Sequence, residues 1–472
     1  MRYLALCCDY DGTLAHDGVV GPETRAALER CRASGRRLLL VTGRELPELK
    51  QVCSCLELFA CVVAENGALL YRPDSGEETP LAAAPPSHFV RELAERGVGP
   101  ISVGRVIVAT WEPHETTVLQ SIRDLGLDLQ VIFNKGAVMI LPSGVNKATG
   151  LAAALSVLGL SAHNAVAIGD AENDQAFLAA CECGVAVANA LPALKQSADF
   201  VTRAGHGAGV SELIEELIAS DLADREPLLQ RHRILLGHDL RGRPVTVPPY
   251  GTRVLMSGSG SGRLAGSFLA HLAEQRYSYC VVDPQAELVA LPGAVMLGTL
   301  ERPPSLEEVL KLLARTDQNA AVNVSGIPRG ERPRFLRQLL PHLESQRSRS
   351  ARPHWLVLNE AHELWDTHPA PPPRTLLQIS SRASELTSSQ LRDADLFIAC
   401  GEDAPASLLG LGRRMGAEVE QWQVKASTHA LVWRRAGGEP PEPLRPAPPP
   451  SASAAQLALG ARTGAAPEAP AG

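Results

Sequence analysis

Short apolar runs punctuate the opening of the chain, each closed by small or charged residues. "YLALCC" (3–8), "LLLV" (38–41) and "CVVA" (61–64) show no polar alternation. Runs of that kind predict strands buried on both faces. Between the first two, "GPETRAALERCRASG" has helical spacing, with Pro22 near its start and Gly35 just past its end. Alternating strand and helix predicts βαβ units around a parallel sheet. The rhythm breaks over residues 72–143. There two helical patterns ("SHFVRELAERG", "ETTVLQSIRDLG") and three strand patterns ("RVIVATW", "LQVIFN", "AVMILPS") predict an inserted α+β segment. Residues 144–216 return to the first pattern through "AVAIGD", "GVAVAN" and a closing helix near "VSELIEELIAS".

A charged connector is expected over 217–233, and a second α/β unit over 234–436. Its expected strands are "TRVLMSG", "YSYCVVD", "AAVNVSG", "HWLVLNE" and "DLFIACG". From 437 to 472 Pro and Ala dominate, and such a tail is expected to stay disordered.

At 472 residues the chain exceeds one ordinary domain. Aromatic residues are only 4%, so the cores must rely on Leu, Val and Ala. A net charge of −7 argues against a general nucleic-acid or membrane partner. The ten cysteines include no CxxC pair, which points to buried thiols in a reducing cytoplasm. No apolar run approaches the roughly 20 residues that a membrane span needs. A cytoplasmic enzyme is the expectation.

Chemistry-bearing residues cluster at the strand ends, where open α/β sheets bind ligands. Asp9 and Asp11 follow the first strand. Two carboxylates so close repel unless a cation joins them, although Asp-Gly also suits a turn. Thr42 and Gly43 close the second strand and offer a hydroxyl and an exposed N–H to phosphate oxygen. Asp170, Glu172 and Asp174 crowd behind "AVAIG". A helix start favours acids, but not so many. Lys147 stands in the first turn of a helix, where a cation opposes the dipole unless an anion is held there.

Together, "DYDGT", "VTGR", "NK" (146–147) and "GDAEND" resemble the haloacid dehalogenase (HAD) superfamily, specifically its Cof-type, subclass IIB phosphatases. "AENGALLY" (64–71) and "GVAVANALPALKQSADFVT" (184–202) also fit that group. The resemblance spans residues 1–216. It implies a Rossmann-like parallel-sheet core (1–71 and 144–216) with an α+β cap inserted at 72–143. It further implies Asp9 as nucleophile and Asp11 as general acid and base. Mg²⁺ would be held by Asp9, the Asp11 carbonyl and Asp170. Thr42, Gly43, Lys147 and Asn173 would bind the phosphoryl group. Asp174 would either steer Lys147 or support the metal. The implied substrate is a small phosphate ester, such as a sugar phosphate or phosphoglycolate. Trp111, His114, Glu115 and Asn134 are candidate cap-lining residues.

The second unit resembles P-loop ATPases of the HerA/FtsK type, but in degenerate form. Against the pattern GxxxxGK[ST], residues 257–264 read "SGSGSGRL". Ser257 stands in the place of the first glycine, Gly262 keeps that of the second with Gly260 between them, Arg263 replaces the lysine, and Leu264 replaces the magnesium-binding hydroxyl. In "HWLVLNEAH", Asn359 stands where the metal-organising aspartate belongs, while Glu360 keeps the place of the catalytic acid. The expected result is a fold that has lost hydrolysis and can still hold a nucleotide without metal. The arginine-rich stretch 328–355 is read as a solvated helix face. Two other overall readings stay open: a phosphoryl transferase such as a sugar phosphomutase, and a nucleic-acid- or partner-binding scaffold.

Overall fold

The strands β1 (Ala5–Cys8), β2 (Arg37–Val41) and β3 (Cys61–Ala64) are buried almost end to end. Runs apolar on both faces require cover on both faces, and a parallel sheet flanked by helices supplies it. In the computed structural model, residues 1–288, 291, 293–315, 318–365, 373–422, 430–436 and 439–450 are described. They form two units, Met1–Gln230 and Arg231–Gly472.

The first unit adds β4 (Leu69–Arg72), β5 (Glu77–Pro80), β6 (Ser102–Val103), β7 (Val108–Trp111), β8 (Leu129–Asn134) and β9 (Ala137–Pro142). Then come β10 (Ala165–Gly169), β11 (Cys183–Ala186) and β12 (Phe200–Val201). The main sheet runs β12-β11-β10-β1-β2-β3-β4-β5. It is parallel from β12 to β3 and antiparallel beyond. Its helices include α1 (Pro22–Ala33) and α2 (Leu46–Val52). The inserted segment starts later than residue 72, because β4 and β5 extend the main sheet as far as Pro80. The polar character that suggested a break belongs to an exposed edge strand.

The cap is a four-stranded antiparallel sheet, β6-β7-β9-β8, with helices α3 (Ser87–Glu95) and α4 (Glu115–Asp124). Alternation along β9 divides its two faces. Val138 and Ile140 pack with Phe89, Leu93 and Val118 of the helices. Met139 and Leu141 pack on the opposite side with Val106 and Ile107. The chain returns to the main sheet through α5 (Lys147–Val157), α6 (Gln175–Ala180), α7 (Pro192–Ser197) and α8 (His206–Ser220). α8 runs to Ser220 and buries Leu217 beyond residue 216, so the expected connector begins later.

The second unit has β13 (Ile234–His238), β14 (Pro244–Val247), β15 (Arg253–Gly258), β16 (Tyr279–Asp283), β17 (Ala294–Leu297) and β18 (Asn319–Asn323). β19 (Trp355–Leu358), β20 (Leu376–Ser380), β21 (Leu396–Cys400), β22 (Ala430–Arg434) and β23 (Glu442–Pro446) complete it. The order is β14-β13-β23-β22-β21-β15-β20-β19-β16-β18-β17. The segment from β21 to β17 is wholly parallel. Alternate residues of β15 feed two cores. Val254 and Met256 join Phe268 and Leu269 of α9 (Ser261–Glu274), and Leu255 joins the opposite core.

The Pro/Ala tail expected from residue 437 is corrected by β23, which pairs with both β13 and β22 and buries Leu444. Segment composition hid one five-residue strand. Residues 451–472 lie outside the described residues. All ten cysteines are buried, and none forms a disulfide. Among the described residues no helix is long and apolar enough to cross a membrane. In the arginine-rich stretch, a 19-residue helix (Arg332–Ser350) buries Leu336, Leu339, Leu340 and Leu343 and exposes Arg334 and Arg337.

Candidate active site

β10, β1 and β2 are neighbours, so the residues that follow them converge at one sheet edge. Asp170, Asp9 and Thr42 occupy those three places, and all are buried. Gly12 follows with φ 87°, and a Cβ there would lie 2.4 Å from Asp170 Oδ2. The glycine in "DYDGT" lets the loop close onto that carboxylate.

Lys147 reaches the same point from α5. Asn146 caps the helix, its Oδ1 accepting from the Ala148 and Thr149 N–H groups at 2.9 and 3.1 Å. The helix start sits directly on the turn at residues 65–67. Gly67 has φ 107°, and a Cβ there would lie 1.9 Å from the Asn146 carbonyl oxygen. Lys147 Nζ donates to Asp9 Oδ1 at 2.6 Å and to Asp174 Oδ1 at 2.5 Å. Asp174 Oδ2 accepts from the Asp170 and Ala171 N–H groups at 2.8 and 2.9 Å. Both oxygens of Asp174 are therefore engaged, one of them in aiming the lysine.

Burial pushes the Asp9 carboxyl up to about 7, and the Asp174 charge adds to this against the pull of Lys147. Burial alone would lower Lys147, but the Asp174 and Asp9 charges outweigh it and hold the ammonium above its ordinary range. Burial also raises Asp170, opposed by Lys135.

Asp11 turns its carboxylate outward to Arg44, accepting from Nε at 2.6 Å and Nη2 at 2.8 Å. Asn173 Nδ2 donates to Asn66 Oδ1 at 3.0 Å, and Asn173 Oδ1 is buried without a partner. Asp9, Asp11, Thr42, Gly43 and Asn173 line one cavity of about 600 Å³, shared by sheet edge and cap. Trp111 and Asn134 line it too. His114 and Glu115 do not; His114 Nε2 pairs with the Gly99 carbonyl at 3.0 Å.

Two cations here are not identified by the sequence reading. Arg44 is visible only as the last letter of "VTGR". Lys135 sits at the tip of the β8–β9 hairpin, where a two-residue X-Gly turn between strands is the available signal. Its Nζ donates to Asp170 Oδ2 at 2.9 Å and to the Asp11 carbonyl oxygen at 3.2 Å. Carboxylate oxygens of Asp9, Asp170 and Asp174 lie within 4.8 Å of one another. An all-oxygen set with an ammonium already bridging two of its members suits a hard divalent cation.

In the second unit, Gly258 and Gly260 both have φ 91°, and Gly260 opens α9. Gly260, Gly262, Arg263 and Leu264 line one cavity, which the chain at Pro446–Pro449 also borders. Asn359 and Glu360 are not among its lining residues. Asn359 Nδ2 donates to Asp283 Oδ1 at 2.9 Å, and Glu360 accepts from the Ser381 N–H and hydroxyl.

Sheet edge, cap and buried Asp–Lys–Asp centre define the first unit as a capped α/β enzyme. The chain belongs to the haloacid dehalogenase-like hydrolases. The model of that family matches residues 6–96 and 105–214. The phosphoglycolate phosphatase of Methanothermobacter thermautotrophicus is 32% identical over 220 residues, 98% of that protein and 45% of this chain. That of Natronomonas pharaonis is 32% identical over 225 residues, 96% of it and 44% of this chain. The crystal structure of a haloacid dehalogenase-like hydrolase from Bacteroides thetaiotaomicron is 20% identical with a TM-score of 0.41. It covers 46% of this chain and 99% of its own.

Proposed function

We propose that the first unit hydrolyses a small phosphate monoester through an aspartyl-phosphate on Asp9. The observation that carries this is the buried Asp9–Lys147–Asp174 triad beneath a capped cavity. Asp9 attacks phosphorus and the ester oxygen leaves with a proton from Asp11. Asp11 then deprotonates the water that releases phosphate. Arg44 fixes the Asp11 carboxylate by two N–H bonds. Lys147, Thr42 and the Gly43 N–H stabilise charge on the phosphoryl oxygens. Asp174 aims Lys147, and Asn173 stands beside the cavity with an unpartnered oxygen.

Asp9, the Asp11 carbonyl and Asp170 would hold magnesium. When bound, it supplies positive charge that draws the nucleophile and the phosphoryl oxygens together. The cap between β5 and α5 fits the Cof-type, subclass IIB arrangement. Of the two substrate classes expected from the sequence, phosphoglycolate and sugar phosphates, the names of the relatives support phosphoglycolate.

The test is hydrolysis of p-nitrophenyl phosphate. Asp9→Asn and EDTA should each lower turnover by about 10³-fold or more, by loss of the nucleophile or of the metal charge. Turnover that survives both changes refutes the reading.

The second unit is read as a P-loop-like domain without hydrolysis. A single strand, β20, separates the glycine-loop strand β15 from β19, and the positive-φ glycines precede α9. Nucleotide binding without metal is compatible with the Arg263-lined cavity.

A further inference from the structure

We infer that Lys135 determines specificity by receiving a second anionic group, a carboxylate one or two carbons from the ester oxygen. The inference rests on the phosphatase reading of this cavity. β8 and β9 pair up to Asn134 and Ala137, which leaves only Lys135 and Gly136 in the turn. Their φ values are 50° and 85°. A two-residue turn with both residues left-handed follows the twist of the strands and favours Asn or Asp at its first place. Local folding therefore does not call for lysine at this position.

The Lys135 ammonium lies at the phosphoryl end of the cavity, on the Asp170 carboxylate and the Asp11 carbonyl. In the reading above those oxygens are the ones that would hold magnesium, and Lys135, half exposed, would then be able to pair with an anion of the substrate. Its flexible four-carbon stem lets it turn to one nearby. The cap otherwise lines the cavity with neutral groups, among them Ile101, Thr110, Trp111, Asn134 and Met139. The sheet edge contributes Asp9, Asp11, Glu45 and Glu48. The remaining cation of the lining, Arg44, is held by Asp11 and Glu48. A carboxylate-bearing ester thus enters among acids, and Lys135 is the cation available to it. A neutral leaving group gains nothing from that charge.

Phosphoglycolate and ethyl phosphate differ by a carboxylate in place of a methyl group, which makes them the probe pair. Steady-state kinetics with magnesium are measured for the full chain, for Lys135→Asn and for Lys135→Arg. Asn suits the left-handed turn and preserves the hairpin. The wild type should prefer phosphoglycolate. In Lys135→Asn that preference should fall by at least about tenfold, the worth of one charge-assisted hydrogen bond. The loss should appear mainly in KM, and Lys135→Arg should recover most of it. A preference that stays within about twofold of wild type in Lys135→Asn overturns the inference and leaves the phosphatase reading standing. A wild type that hydrolyses neither ester nor p-nitrophenyl phosphate overturns both.

Discussion

Asp9 carries the sharpest consequence at the scale of single residues. In an unfolded chain its carboxyl ionises near about 3.9. In the folded protein, burial and the Asp174 charge move it to about 7. Between those values the folded state keeps a proton that the unfolded state has released. The stability linked to Asp9 is therefore complete below about 3.9 and is lost as pH rises through about 7. Asp9→Asn mimics the protonated form and escapes that loss. In EDTA, the melting temperature of Asp9→Asn should gain on that of wild type as pH rises from about 5 to about 8. Scanning fluorimetry at stepped pH checks it. A difference that stays flat, or runs the other way, means that Asp9 is ionised throughout. Lys147 stays charged across this window, because the Asp174 and Asp9 charges raise it further.

At the scale of elements, the buried carboxylate of Glu65 ties the cap to the sheet edge. Glu65, in the turn after β3, accepts from the backbone N–H groups of Arg105, Val106 and Ile107 at 2.8, 2.7 and 2.9 Å. Glu65→Ala leaves buried N–H donors unpaired at the entry to β7, each costing about 1–3 kcal/mol. Urea denaturation should show a loss of about 2–5 kcal/mol. A rise in KM with a smaller change in kcat should accompany it, because the cap positions the leaving group. Unchanged stability would mean that other contacts fix the cap. "AENG" is legible in the sequence as a turn, but its grip on residues 105–107 is not, since the pairing spans some forty residues of chain. The same physics divides the rest of the site. Asp9, Thr42 and Asp170 can be read because each follows an apolar run in a parallel sheet. Arg44 and Lys135 act across 33 and 124 residues on Asp11, and no local pattern records such contacts. β5 and β23 escaped because their polar and proline residues resemble loop, whereas an edge strand and a strand with a single buried leucine tolerate both.

At the scale of the whole molecule, two parallel-sheet units share one chain, and the site chemistry just described lies in the first. On the P-loop-like reading proposed for the second unit, three residues stand against metal-dependent hydrolysis. Leu264, in the place that this reading gives to the magnesium-binding hydroxyl, lies on the buried face of α9. Arg263 supplies a planar guanidinium where a compact ammonium is needed. Asn359 has no carboxylate, and its amide donates to Asp283. Glu360, the remaining acid, is held by Ser381 and excluded from the cavity that the glycine loop borders. The sharp test removes the first unit's own phosphatase activity, since a phosphatase can act on ATP directly. In an Asp9→Asn chain, ATP with magnesium should release no phosphate above a protein-free blank. Phosphate release that disappears in Asp9→Asn/Glu360→Gln would show a working ATPase in the second unit, with Glu360 as its acid, and would overturn the reading of that unit as inactive.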